Sequence, residues 1–96
     1  MLEVIQTDEF EAWLDGLRDR QAQVQIAKRI VRVQSGLLGD VKPVGDGVSE
    51  LRVHHGPGYR LYFVRRGQVV IILLCGGNKG SQARDIERAK AMAKEV

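Results

Sequence analysis

Apolar residues along this chain change spacing several times, and each change marks an element. Met1 to Gln6 (MLEVIQ) is short and apolar-rich and predicts a first strand. Thr7 or Asp8 then offers a helix cap, and Asp8 with Glu11 fits the D-x-x-E capping pattern. Phe10, Trp13, Leu14 and Leu17 recur at i, i+3, i+4 and i+7, one face of an amphipathic helix that Gly16 weakens near its end. Asp19 opens a second, longer helix running to about Ser35, with Gly36 as its left-handed cap. Val24, Ala27, Ile30 and Val31 form its predicted inward stripe. The other face carries Arg20, Lys28, Arg29 and Arg32, the ordinary pattern of a solvated helix surface.

Residues 37–47 include Gly39, Pro43, Gly45 and Gly47 and read as a loop. Three strands follow at roughly 48–55, 59–66 and 68–76, with Arg66-Gly67 as the tight turn between the last two. Strand side chains alternate in direction, so Leu51 and Val53, then Leu61 and Phe63, share the core side. The third strand (QVVIILLC) is apolar on both faces, which predicts a central strand covered on both sides. A Gly76-Gly77-Asn78-Lys79-Gly80 loop leads to Ser81 as N-cap of a last helix over 82–95, with Ile86, Ala89 and Ala93 on one stripe. The order β-α-α-β-β-β-α predicts an α+β fold, a mainly antiparallel four-stranded sheet packed by helices. Ninety-six residues make one domain, 1–96, with a modest single core.

Composition narrows the setting. The longest apolar run, Val69 to Cys75, falls far short of the ~20 residues of a membrane span, and no charged-then-apolar leader opens the chain. Cys75 is the one cysteine and lies inside that run, so it reads as a small core hydrophobe in a reducing compartment. A cytoplasmic protein without a membrane partner is expected. The net charge of +3 is unevenly spread. Residues 1–19 hold six acids and one base, whereas residues 41–80 hold six bases and two acids. The second half therefore favours an acidic partner, of which nucleic acid is the commonest.

Several chemistries can be set aside. Two histidines and one cysteine have no zinc spacing, and adjacent His54 and His55 point to opposite faces of a strand, so no metal or other cofactor is expected. GGNKGS is glycine-rich and opens a helix, but it lacks both the G-x-x-x-x-G-K-[ST] and G-x-G-x-x-G spacings of nucleotide sites. No serine or cysteine triad is spaced persuasively.

Metal-free RNA cleavage is the chemistry that remains. It needs a base for the 2′-hydroxyl, a cation for the charge building on the phosphorane, and an acid for the departing 5′-oxygen. Arg52 and His54 share one strand face, and Arg60 and Tyr62 share one face of the next. Paired through the His55-Gly56-Pro57-Gly58 turn, they would line one polar surface. His54 is the natural proton-transfer group, because imidazole titrates near neutrality. Arg52 and Arg60 can fork onto phosphate oxygens, and Lys79 can add a point charge. Tyr59 or Tyr62 could stack a base or donate a phenolic hydrogen bond. Arg65, Arg66 and Arg32 are further candidate RNA contacts. The bland alternative for each strand arginine is a surface ion pair, with Glu50 as partner, and His55 reads as structural.

These residues resemble a known group. ELRVHHGPGYRLYFV, followed by VVIILLCGGNKGSQARDIERAKAMA, is similar to the RelE/ParE superfamily of bacterial toxins, and most of all to its HigB-like, phage Gp49-like branch of addiction module killer proteins. Glu50, Leu51, Arg52, His54, Gly56, Pro57, Gly58, Tyr59, Arg60 and Tyr62 fit the first signature of that branch. Gly76, Gly77, Asn78, Lys79, Ser81, Gln82, Asp85, Ile86 and Ala89 fit the second. The resemblance implies a RelE-like fold and the toxin of a type II toxin–antitoxin pair. It also implies a helix-turn-helix antitoxin that neutralises the toxin and carries the complex to promoter DNA. RelE-like and HigB-like members cleave mRNA on the ribosome and so inhibit translation, and Arg60 falls on the strand arginine that stabilises phosphate there. The chain departs from that pattern in having no tyrosine after Tyr62, so the late tyrosine of many members is missing. His54, Tyr62 or Lys79 would have to take its place. The alternatives are a ParE-like inhibitor of DNA gyrase on the same fold, or an inactive nucleic-acid- or protein-binding module.

Overall fold

Capping residues and strand alternation set the architecture of the computed structural model, which describes all 96 residues. The elements are β1 (Glu3–Gln6), α1 (Asp8–Asp15), α2 (Arg20–Gln34), β2 (Val41–Gly45), β3 (Val48–Val53), β4 (Tyr59–Arg66), β5 (Val70–Asn78), a 3₁₀ turn (Lys79–Ser81) and α3 (Gln82–Ala93). Thr7 caps α1, its hydroxyl accepting from Phe10 N–H at 3.1 Å. Asp19 caps α2, accepting from the N–H groups of Gln21 and Ala22. Gly36, at φ 87°, ends α2, and Leu37 N–H returns to the Arg32 carbonyl at 3.0 Å. That is a Schellman turn. No helix is long and apolar enough to cross a membrane.

The sheet has five strands in the order β1-β5-β4-β3-β2, with β1 parallel to β5 and the other pairs antiparallel. The expected four-stranded sheet is one strand short, because residues 41–45 pair with β3 instead of forming a loop. Pro43 is tolerated there because β2 is an edge strand, where a missing N–H costs no ladder bond. Asp46 and Gly47, at φ 56° and 78°, form the tight turn into β3. Asp-Gly is a favoured pair where both central residues need positive φ.

Helices α1 and α2 cover one face of the sheet and α3 covers part of the other. Phe10, Ala22, Ile26, Ile30 and Val33 meet Leu51, Val53, Tyr59, Leu61, Phe63, Ile71 and Leu73 on the first face. Ala89, Met92 and Ala93 meet Val48, Tyr62, Val64, Leu74 and Cys75 on the second. The β5 strand is covered on both sides, as its apolar run predicts. The predicted inward stripe of α2 is corrected: only Ile30 of that set is buried, while Ala27 is exposed and Val24 and Val31 are 51% and 59% exposed. At about 100° per residue, Ala22, Ile26, Ile30 and Val33 form a separate stripe on roughly the opposite side, and that stripe faces the sheet.

A bulge re-aims the end of β5. Tyr62 stands opposite Cys75 but Phe63 opposite Leu73, so Leu74 is the extra residue and both it and Cys75 are buried against α3. Beyond the bulge, Gly76 and Gly77 belong to the strand, not to the expected loop, and each makes a close approach. A β-carbon on Gly76 would overlap the Trp13 ring, and one on Gly77 would overlap the Asp85 carboxylate. Gly77 stands directly opposite Arg60.

Candidate functional site

The ladder between β3 and β4 places Arg52 opposite Arg60 and Glu50 opposite Tyr62. All four side chains therefore fall on one face of the sheet, the α3 face. Helix α3 runs along that face from Gln82, beside Glu50, to Ala93, whose carbonyl accepts from Arg66 at 2.9 Å.

Glu50 is the hub. It is fully buried, with Oε1 accepting from Arg52 Nε at 3.0 Å and Oε2 accepting from the Tyr62 hydroxyl at 3.2 Å and Gln82 Nε2 at 2.9 Å. Arg60 Nε approaches the same Oε1 at 3.4 Å, yet it is buried and makes no hydrogen bond. Burial by itself would push the Glu50 carboxyl up. The hydrogen bonds from Arg52 and Gln82, the charge of Arg60 and the Tyr62 hydroxyl outweigh burial and hold it below the usual carboxylate range. An ionised Glu50 neutralises one guanidinium of two. Counted against Glu50 alone the pair keeps one positive charge, with Arg52 29% and Arg60 13% exposed and the Asp40 carboxylate near enough to feel Arg52. That is an anion-binding arrangement built on rigid strands.

The neighbouring groups keep this surface narrow and open. Gly77 brings no side chain opposite Arg60, and Asp85 occupies the space beside it, accepting from the Ser81 hydroxyl. Ser81 therefore makes no side-chain cap, and the positive end of the α3 dipole lies at the same end of the sheet. Lys79 is exposed on the 3₁₀ turn, which is tied to the β3–β4 turn by its N–H to the Gly58 carbonyl at 3.0 Å. A β-carbon on Gly58 would sit 3.8 Å from Arg60 Nη1, so Lys79 and Arg60 converge on one turn.

His54 lies one residue beyond β3 and is 75% exposed, with Nε2 at 2.8 Å from Asp40 Oδ2. The Asp40 carbonyl accepts from Arg52 N–H at 2.9 Å, so the imidazole and Arg52 are both fastened to residue 40. The His54 hydrogen bond holds the Asp40 carboxyl below its usual range, with the charges of Arg52 and Arg29 assisting. Arg29 sets the position of this loop, donating to the carbonyls of Arg52 at 2.8 Å and Leu38 at 2.9 Å. Its place in the sequence pattern predicts instead the solvated face of α2. Sequence reasoning also missed Asp40 and Gln82 as site residues and read Glu50 only as a surface partner. The i, i+2 spacing of Glu50 and Arg52 was the available signal.

The other expected site residues fall elsewhere. Tyr62 is fully buried, and burial followed by the Glu50 charge pushes its phenol strongly up, so it supports Glu50 and is not placed to release a proton. Tyr59 is on the α1/α2 face, 8% exposed, with its ring 6.3 Å from that of Trp13 at 62°. It has no open ring face for a base. Arg65 donates to the Gln68 carbonyl at 2.8 Å in the β4–β5 turn, and Arg66 secures the end of α3. Arg32 is on α2, across the sheet from Arg52 and Arg60. His55 meets the α2 cap Asp19 at 3.2 Å, a structural clamp. Cys75 is buried with its thiol pushed up to about 12, chiefly by burial, and is unreactive at neutral pH.

Fold and site together define a small α+β protein whose sheet carries a pair of arginines seated on a buried carboxylate. Residues 12–95 match the family described as Phage derived protein Gp49-like (DUF891), and the chain belongs to that family. It is a toxin–antitoxin-associated family in the RelE/HigB-like group. An uncharacterized protein of Haemophilus influenzae (strain ATCC 51907 / DSM 11121 / KW20 / Rd) is 46% identical over 87 residues, covering 91% of this chain and 88% of that one.

Proposed function

We propose that this protein is the toxin of a type II toxin–antitoxin pair and acts as a metal-free, ribosome-dependent mRNA endonuclease. One observation carries the reading: Arg52 and Arg60 stand opposite each other over a single buried carboxylate, and His54, two residues beyond Arg52, is hydrogen-bonded to Asp40, whose carbonyl also takes the Arg52 N–H. The surplus positive charge suits a phosphate that becomes more negative in the transition state. With Nε2–H donated to Asp40, His54 keeps Nδ1 for the 2′-hydroxyl proton. The 2′-oxygen attacks the adjacent phosphorus, the bond to the 5′-oxygen breaks, and the products are a 2′,3′-cyclic phosphate and a 5′-hydroxyl. Arg52 and Arg60 hold the phosphorane oxygens. Lys79, exposed on the neighbouring turn, supplies the leaving-group proton in the absence of a late tyrosine. Glu50 is a positioning residue, since it is fully buried and held by three hydrogen-bond donors of the protein itself.

Primer extension on message from induced cells tests the reading. Cuts within translated codons are expected. Intact message together with accumulated cleaved DNA would overturn it in favour of gyrase inhibition, and the absence of any growth arrest would leave only a binding module.

A further inference from the structure

We propose that the outer face of α2 is the docking surface for an acidic, amphipathic segment of the protein that neutralises this one. The inference rests on the toxin–antitoxin reading for the source of the segment, but not on the chemistry of the arginine pair. Helix α2 carries two apolar stripes where one would suffice for folding. Ala22, Ile26, Ile30 and Val33 are buried against the sheet, whereas Ala27 is exposed and Val24 and Val31 are 51% and 59% exposed. Positions 24, 27 and 31 follow helical spacing, so they form one continuous outer line. The Schellman turn carries Leu37, 59% exposed, back toward the end of that line. Singly, exposed aliphatic residues need no explanation; three in register on one helix, with a fourth just past its end, do.

Charge identifies the occupant. Residues 20–35 contain Arg20, Lys28, Arg29 and Arg32 and no acid. Arg29 is turned inward onto the carbonyls of Arg52 and Leu38, leaving Arg20, Lys28 and Arg32 exposed around the stripe. A shallow depression of about 200 Å³, bounded by Arg20, Gln21, Val24 and Gln25, opens at its N-terminal end. An aliphatic line edged by cations fits a helix or strand bearing aliphatic residues on one side and carboxylates beside them. RNA is the poorer match, since the face offers no aromatic ring on which a base could stack. A protein seated here lies across the sheet from Arg52 and Arg60.

The test uses the full chain co-expressed with the protein encoded by the adjacent reading frame, and reads the dissociation constant of the purified complex by calorimetry. Val24→Glu with Val31→Glu should weaken the complex by about a hundredfold, from lost apolar contact and from repulsion of carboxylates. Both sites are exposed, so circular dichroism of the free variant should match the parent. As a second route, Lys28→Ala with Arg32→Ala should slow association and flatten its salt dependence. An unchanged dissociation constant in both variants, or no complex at all, overturns the proposal. So does a parent that self-associates through this stripe, which would make the occupant a second copy. A valine variant that loses ribosome-dependent cleavage while keeping the complex overturns it in favour of RNA. Each readout is separate from whether the parent cleaves message.

Discussion

Strands β3 and β4, six and eight residues long, present two different surfaces. On the α1/α2 side, Leu51, Val53, Tyr59, Leu61 and Phe63 are all buried among apolar neighbours. On the α3 side, Val48 and Val64 do the same near the end of α3, but Glu50, Arg52, Arg60 and Tyr62 form a polar cluster past its start. Folding by itself gives no reason to bury a carboxylate. A hydrophobic replacement of similar shape is often as stable, so the α3 side is organised around something other than stability. One face buries apolar residues of both strands, whereas the other joins a smaller core to two guanidinium groups gathered on a buried carboxylate.

That division predicts different outcomes for substitutions on the two faces. Leu61→Ala removes a fully buried side chain from β4 and should cost about 4 kcal/mol of unfolding free energy, read from urea denaturation. Activity per folded molecule should be unchanged, and a selective loss of activity would break the distinction between the faces. Glu50→Ala should cost about 3 kcal/mol, since it leaves Tyr62 and Gln82 without a partner and two guanidinium groups uncompensated. Here cleavage by the remaining folded protein should fall as well, because nothing then fixes Arg52 and Arg60. Full activity in a folded Glu50→Ala variant would show that the carboxylate positions nothing.

The acid limb of stability sharpens the same point with a smaller effect. Because the folded state holds Glu50 below its ordinary value of 4.5, the unfolded chain binds more protons once the pH falls toward that value. The stabilisation is present above pH 4.5 and is lost as pH drops through the depressed folded value. Glu50→Gln should be less stable than the parent at neutral pH and show a shallower acid loss in thermal melts at stepped pH. An identical acid limb in both proteins would contradict the assignment.

Much of this layout was legible in the sequence, and the lapses have physical causes. Strand alternation alone put Arg52 and Arg60 on one face, because a period of two leaves no choice once the strands pair. It could not show how deep that face is, and so Glu50 read as a surface partner and Tyr62 as a reachable phenol. Depth is set by Gln82 and the start of α3, which are distant in sequence. His54 alternates with Arg52 on paper, but β3 ends at Val53 and the imidazole turns to Asp40. Residues 41–45 were lost to Pro43 and Gly45, which break an interior strand but are compatible with an edge. The α2 stripe failed for a different reason. Two apolar lines compete on that helix, and only tertiary packing decides which one faces the sheet.

Arg60→Ala separates the two faces most directly. The parent and a variant of matched circular dichroism and urea midpoint would be incubated with programmed ribosomes, and message cleavage followed by primer extension. Loss of one phosphorane donor should slow cleavage by about 10²–10³-fold while the fold stays intact. A folded Arg60→Ala protein that cuts at the parent rate would contradict the account.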